Sequence, residues 1–335
     1  MARPAAIPAV LSVLLLACGP KPPASSASET PTPGAESEVP SPPAPGENPA
    51  GAAPGEQPVV AVPAGKYRVS LSRPEVVGER AQMTRTVSDL TSQRIVEGGK
   101  VVKNETMRQH VEFEAVKETL AITPAGHPRR TRYTVQRFEA RMGKSMKPIF
   151  ASGTVLTAQR GSEAEQSVTS STGPLSKEQL AAVKLVISLR ERRAGDQEIF
   201  GTAEPRGIGD SWPINSERGK QSMEEEGIAK LRSLTGNTTL VAEREVDSVP
   251  CLEIMGRMEA DIENLPGLPK DTKVVRGKLR ARVSGMFPID PKLLAPLKTT
   301  SMSFEVVTRT TTAKGSVEMH LSTQREGEAR LRALK

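Results

Sequence analysis

The chain has 335 residues, a formal net charge of +7, two cysteines and only nine aromatic residues. Two cysteines exclude a disulfide framework and a cysteine-based zinc site. The scarcity of aromatics excludes a base-stacking platform for nucleic acid. No P-loop or dinucleotide fingerprint occurs, so no cofactor is expected.

Met1 and Arg3 give a short positive start, and Ala9 to Leu16 form an apolar run of about eight residues. A bilayer span takes about 20 residues, so this run fits a leader rather than a transmembrane helix. It ends in Leu15-Leu16-Ala17-Cys18, which resembles the lipobox of bacterial lipoproteins. The resemblance covers residues 1–19. It implies a signal peptide over 1–17, a diacylglycerol on the Cys18 thiol, and further acylation, palmitate for instance, at the new amino terminus. Gly19 in place of an aspartate implies sorting to the outer membrane of a Gram-negative bacterium, with the periplasm as its compartment and the leaflet left open. Acyl chains, at about 0.8 kcal/mol per buried CH2, hold a protein on a membrane without a spanning helix.

Residues 18–63 carry thirteen of the 28 prolines and no aromatic. Such a tract cannot bury enough apolar surface to offset its ordering entropy, which predicts a disordered tether. At full polyproline extension its ~45 residues reach about 140 Å. The leader holds +1 and the tether −4 of the total charge, which leaves +10 on residues 64–335. A basic domain suits anionic envelope lipid or another envelope protein as partner, besides the membrane reached through the anchor.

The domain opens with KYRVSLS, in which Tyr67, Val69 and Leu71 alternate with polar residues and predict a half-buried strand. Residues 81–96, Gly98-Gly99 and the run through Val111, Phe113 and Ala115 predict a long antiparallel hairpin. TRYTVQRFEARM and ASGTVLTAQ add a third and a fourth strand. The period then changes. Ser176 with Gln179 is a capping box, Leu175 and Leu180 fit a hydrophobic staple, and Leu180, Val183 and Ile187 form one face of a helix over about 176–193, with Arg190, Arg192 and Arg193 near its end. A second helix is predicted over about 222–234. Strands resume at TTLVAEREV, CLEIMGRMEAD, KVVRGKLRARVSGMF, SMSFEVVTRTTTAK and GSVEMHLSTQR, the last two joined by a turn around Lys314-Gly315. The fold class is α+β, mostly β: a single domain over 64–335 with a long-stranded, twisted antiparallel sheet, half-barrel-like, packed on one or two helices.

GIGDSWPIN, residues 207–215, is the sharpest local string. It resembles the GDSW element of uncharacterised bacterial lipoproteins with long-stranded domains. Compared with the GDSL-type serine hydrolases, it is mid-chain, and the only late histidine, His320, has Val317 rather than an acid three residues before it. Ser211 therefore has no base in view. Gly207 and Gly209 permit a turn, Asp210 and Ser211 can bond local backbone, and Trp212 is expected to plug the sheet. His110-x-Glu112 and Glu318-x-His320 would make a zinc site only if their strands met, and the alternating apolar partners place both pairs toward solvent. His127 stands in a loop without a partner. Cys251 follows Pro250 and reads as a structural strand cysteine.

The sequence thus predicts a lipid-anchored, non-enzymatic envelope protein that binds or scaffolds a partner. An alternative is a carrier of hydrophobic ligands, lipid or lipoprotein, with Leu180, Val183, Ile187 and Trp212 lining an apolar cavity. A serine hydrolase using Ser211 is a further reading. Cys18 is the site of lipid attachment in all three.

Overall fold

The computed structural model describes residues 64–142, 145–161, 166–189, 195–312 and 315–334. The leader, Cys18, the Pro-rich tract, Arg190, Arg192, Arg193 and Lys314 lie outside them. Strands β1 (Lys66–Tyr67), β2 (Arg80–Glu97), β3 (Lys100–Ile122), β4 (Pro128–Met142), β5 (Met146–Phe150), β6 (Val155–Arg160) and β7 (Gln166–Ser170) come first. Helices α1 (Lys177–Val186) and α2 (Asp196–Phe200), the short strands β8 (Arg206–Gly207) and β9 (Ser211–Pro213), and helix α3 (Ser216–Glu225) follow. Five long strands complete the chain: β10 (Lys230–Val246), β11 (Val249–Asn264), β12 (Thr272–Pro288), β13 (Leu297–Thr312) and β14 (Gly315–Ala333).

Twelve strands form one open antiparallel sheet in the order β7-β6-β4-β3-β2-β14-β13-β12-β11-β10-β9, with β5 added on β4. The order describes two meanders, one on each side of the helical middle of the chain. They are joined because β14 pairs with β2 in an unbroken register from Ala81 opposite Ala333 to Glu97 opposite Val317. β3 has 23 residues and so extends about 76 Å at 3.3 Å per residue. The outermost strands, β7 and β9, have only five and three residues, and β9 ends in Pro213. Short edges carrying proline give another chain little to pair with.

The register shows that one face carries the whole core. Thr91 of β2 stands opposite Thr323, which in turn faces Phe304, Leu279, Ala260 and Leu234 across β13 to β10. On the same face of β2, Val87 stands opposite Val111, and Arg85 opposite Phe113 and then Phe138. The apolar residues there form two clusters. Beneath α1, Phe113 stacks against Tyr133 and Phe138, and Phe138 against Phe150, with centroids 5.9, 4.9 and 5.4 Å apart. Beneath α2 and α3, Phe200, Trp212, Leu240, Leu252 and Leu279 form the other cluster. Full burial of such a side chain contributes about 1.5–3 kcal/mol.

Between the clusters the core face turns polar. Asp89, Thr91 and Gln93 are buried on β2, and Arg325 of β14 donates to both oxygens of Asp89 at 2.8 and 2.5 Å. The Thr91 and Thr323 hydroxyls pair at 3.3 Å. Gln93 donates to Met319 Sδ, while its Oε1 has no partner among the described residues.

The capping box of α1 forms as the sequence indicates: Gln179 N donates to Ser176 Oγ at 3.1 Å and Ser176 N to Gln179 Oε1 at 2.9 Å. The helix stops at Val186 rather than reaching 193. Arg85 donates to the Val186 carbonyl, and Gln166 of β7 both donates to the Ile187 carbonyl and accepts from Leu189 N, drawing the chain into an extended course. The second helix is also displaced. It begins at Ser216, where Asn215 Oδ1 caps Arg218 N, and ends before Gly227, whose φ is +67°. Residues 230–234 are strand instead. Register shifts on either side of Leu231 put Leu231 and Leu234 on one face three residues apart, a spacing that imitates a helical period. KYRVSLS is corrected likewise: only Lys66–Tyr67 is strand, pairing with β8. Val69 and Leu71 are still buried, as an extended segment whose Leu71 N donates to Gln197 Oε1 at 2.7 Å.

The β2–β3 loop is Gly98-Gly99, both at positive φ, as a two-residue hairpin turn requires. The β10–β11 loop uses the same geometry without glycine, with Asp247 at φ +50° and Ser248 at +64°. Replacing Asp247→Asn together with Ser248→Gly is expected to stabilise the fold by about 1 kcal/mol, raising Tm by about 2–4 °C in a thermal melt. At the polar seam, Arg325→Leu leaves the Asp89 carboxylate buried without its guanidinium. It is expected to cost about 2 kcal/mol, and the double variant Asp89→Asn/Arg325→Leu distinctly less, in a denaturant-based double-mutant cycle.

Candidate functional site

The GIGDSWPIN stretch folds as a turn that pins the helices to the sheet. Gly209 has φ +89°, Asp210 Oδ2 accepts from Gly207 N at 2.8 Å, and Gly209 N and Leu240 N tie the turn to β10. Trp212 is buried, and its Nε1 donates to the Phe200 carbonyl at 2.9 Å. The Arg206 guanidinium lies 5.5 Å from the Trp212 ring centre. Ser211 is exposed, and its hydroxyl pairs with that of Thr239 at 2.7 Å. His320 stands on β14, five strand spacings or about 24 Å across the sheet and a further eight residues along the strand from the row of Ser211. No histidine reaches Ser211, so the hydrolase relay does not form.

The residues expected to line an apolar cavity are differently placed. Val183, Ile187 and Trp212 are enclosed in filled core, Val183 and Ile187 in one cluster and Trp212 in the other, while Leu180 is 37% exposed on the outside of α1. The helix face turned to the sheet is instead Ala182, Val183 and Val186.

The opposite face of the sheet is open and polar. His110 and Glu112 are there, on β3, and Glu318 and His320 on β14, with β2 between them; the four side chains do not converge. Glu318 is held by Arg309 at 2.6 Å, which keeps its carboxyl below the usual range. His110 Nδ1 lies 2.8 Å from Ser88 Oγ, and His110 Nε2 lies 3.1 Å from Glu112 Oε1. Serine, histidine and acid are thus in contact, but in mid-strand, where the neighbouring backbone N–H groups belong to the sheet ladder. The contact lacks the convergent free N–H groups that an oxyanion requires.

Sequence reasoning missed the two adjacent hollows that occupy this open face at the seam. The larger, about 430 Å³, is lined by Thr86, Ser88, Arg282, Ser284, Ser301 and Glu326 among others. The second, about 340 Å³, shares Ser88 and Glu326 and adds Arg108, His110 and Arg141. Four successive strands, β12, β13, β14 and β2, contribute to the larger one, so the face is concave there. The register explains the lining as a single cross-strand row: Arg257, Arg282, Ser301, Glu326, Ser88, His110 and Arg141 stand opposite one another in turn from β11 to β4. The signal in the sequence was the alternation of Ser, Thr and charge on the non-core positions of β2, β12, β13 and β14. It acquires meaning only once the strand order is known.

The sequence matches no protein-family model and no curated protein. Solved structures with partial backbone similarity include one described as lipid-protein interactions in lipovitellin, at 9% identity over 78% of this chain and 25% of that one, with a TM-score of 0.30. The match thus spans a quarter of the lipovitellin chain. OpdQ of Pseudomonas aeruginosa matches at 8% identity over 76% and 98% of the two chains, with a TM-score of 0.14. Intact Ap-TbpB, with its N and C lobes, matches at 9% over 79% of each, with a TM-score of 0.09. Scores at this level do not establish a common fold.

Cys251 is fully buried in β11, unpaired among the described residues, and burial pushes its thiol up. Because the folded thiol holds its proton more tightly than the unfolded one, the associated stability is complete below the ordinary thiol range and declines as pH rises through it. In a Cys18→Ser chain, iodoacetamide is expected to alkylate Cys251 on the order of a hundredfold more slowly in the native state than in guanidinium chloride, as read by mass spectrometry.

Proposed function

We propose that this chain is a lipid-anchored protein of the Gram-negative cell envelope, held at the outer membrane through Cys18. In this reading it acts as a non-enzymatic binding module through the open face of its sheet. The observation that carries the reading is the pair of polar hollows at the seam, built from side chains that the core does not use. The leader ending in Leu-Leu-Ala-Cys supplies the address, and the Pro-rich tract supplies a spacer between lipid and domain. The filled core beneath α1 favours this reading over a carrier of acyl chains, since Val183 and Ile187 already occupy the space a lipid tail would need. Serine hydrolysis is disfavoured by the pairing of Ser211 with Thr239.

Expressed in a Gram-negative host, the native chain is expected in the membrane fraction, labelled by palmitate. Cys18→Ser is expected to be unlabelled and soluble. Native protein recovered soluble would remove the anchor. For the binding face, a photo-crosslinking residue at Ser301, in the larger hollow, is expected to give adducts in cells where the same residue at Lys292, on the β12–β13 loop, gives none.

A further inference from the structure

We propose that the open-face hollows take a linear acidic polysaccharide, a hydroxyl-rich chain bearing carboxylates, gripped by two separated arginine pairs. The proposal rests on the reading of the open face as a binding surface and names its ligand class.

The floor of the hollows is hydroxyl-bearing: Thr86, Ser88, Ser284, Thr299 and Ser301. Ser284 and Thr299 bond each other at 2.5 Å and Ser88 lies 2.8 Å from His110 Nδ1, but a hydroxyl both donates and accepts, so each keeps capacity for a sugar hydroxyl, and Thr86 and Ser301 add theirs. The ends of the row are cationic. On one side Arg257 and Arg282 stand directly opposite each other on β11 and β12. On the other side Arg108 and Arg141 line the second hollow beside His110. Like charges directly opposite in a sheet are destabilising. Neighbouring pairs on the same strands are neutralised, Arg280 by Glu259 and Lys278 by Asp261. Arg108, Arg141, Arg257 and Arg282 make no ion pair or hydrogen bond among the described residues. Against these four guanidiniums the row sets one carboxylate, Glu326, at its centre, without an ion pair among the described residues, and the larger hollow adds Glu328, which Arg330 holds at 2.8 Å.

A ligand that relieves the Arg257–Arg282 repulsion is an anion, and the planar guanidinium fork suits a carboxylate. The distance between the cationic ends, four strand spacings from β12 to β3 or about 19 Å, calls for a chain rather than a single small acid. The lining holds no Trp, Tyr or Phe, so neither a neutral sugar nor a nucleic-acid base finds a stacking platform. A concave floor cannot lie flat against a bilayer, which sets the site apart from a headgroup-binding surface. Glu326 accepts from sugar hydroxyls and limits the affinity by repelling the nearest acid.

The test is calorimetric titration of the full chain, in detergent, with an oligogalacturonate long enough to span both arginine pairs. Binding that weakens as salt is raised is expected, with none to a neutral dextran of equal length. Arg257→Ala/Arg282→Ala is expected to lower affinity about tenfold, and Arg108→Ala/Arg141→Ala by a similar factor. Glu326→Gln is expected to raise it, and Lys270→Ala/Lys292→Ala, an equal loss of charge on distant loops, to leave it unchanged. Equal losses from the loop variant, or preference for phosphatidylglycerol vesicles over oligogalacturonate, would overturn the proposal. Failure of oligogalacturonate while Ser301 still crosslinks in cells overturns the ligand class and leaves the binding face standing. Failure of both removes the binding face as well.

Discussion

Strand β14 lies between β2 and β13, and its unbroken register with β2 sets the position of everything else. Without that pairing the chain would be two separate meanders, each curled over its own helices and each with an exposed long strand. With it, the apolar clusters beneath α1 and beneath α2 and α3 share one face of one sheet. The polar stripe of Asp89, Thr91, Gln93 and Arg325 marks the join on the core face. The hollows mark the same join on the other. A buried ion pair contributes little net stability compared with apolar packing, but it tolerates few registers. A slip of one residue between β2 and β14 would place Asp89 on the open face and Ser88 in the core, so the pair fixes which side chains the solvent side presents.

The middle of the chain acts as a fastening. Phe200 of α2 lies against Gly256 of β11, where a Cβ would come within 2.7 Å of the ring. Gly219 of α3 likewise meets the Leu234 side chain on β10. Trp212 joins these elements by bonding the Phe200 carbonyl. The string 207–215 is therefore conspicuous for a structural reason: it carries the chain from helix to sheet edge and back within a few residues, a path that demands turn formers and an aromatic wedge together.

Much of the fold is legible from alternation alone. Val111, Phe113 and Ala115 are fully buried, Gly98-Gly99 make the turn, and Ser176 caps its helix as its spacing with Gln179 indicates. What escaped the sequence was decided by long-range contacts. Gln166 ended α1 early by capturing the main chain at residues 187 and 189. Register shifts near Leu231 gave a strand the look of a helix. The extended segment through Val69 and Leu71 kept its alternation yet gained little ladder, because it bonds to a side chain of α2. The candidate site was the least legible part. Its row of seven positions draws on six strands besides β2, and those strands become neighbours only through the pairing of β2 with β14.

That pairing also dictates an order of events. Asp89 and Arg325 are 236 residues apart in the chain. Local hairpins such as β2–β3 can close within microseconds, but the strand that unites the halves has to be found across nearly the whole domain. Until it docks, the eighteen-residue β2 offers a bare ladder edge to any passing chain. The rate at which β14 inserts therefore sets how long that edge stays open.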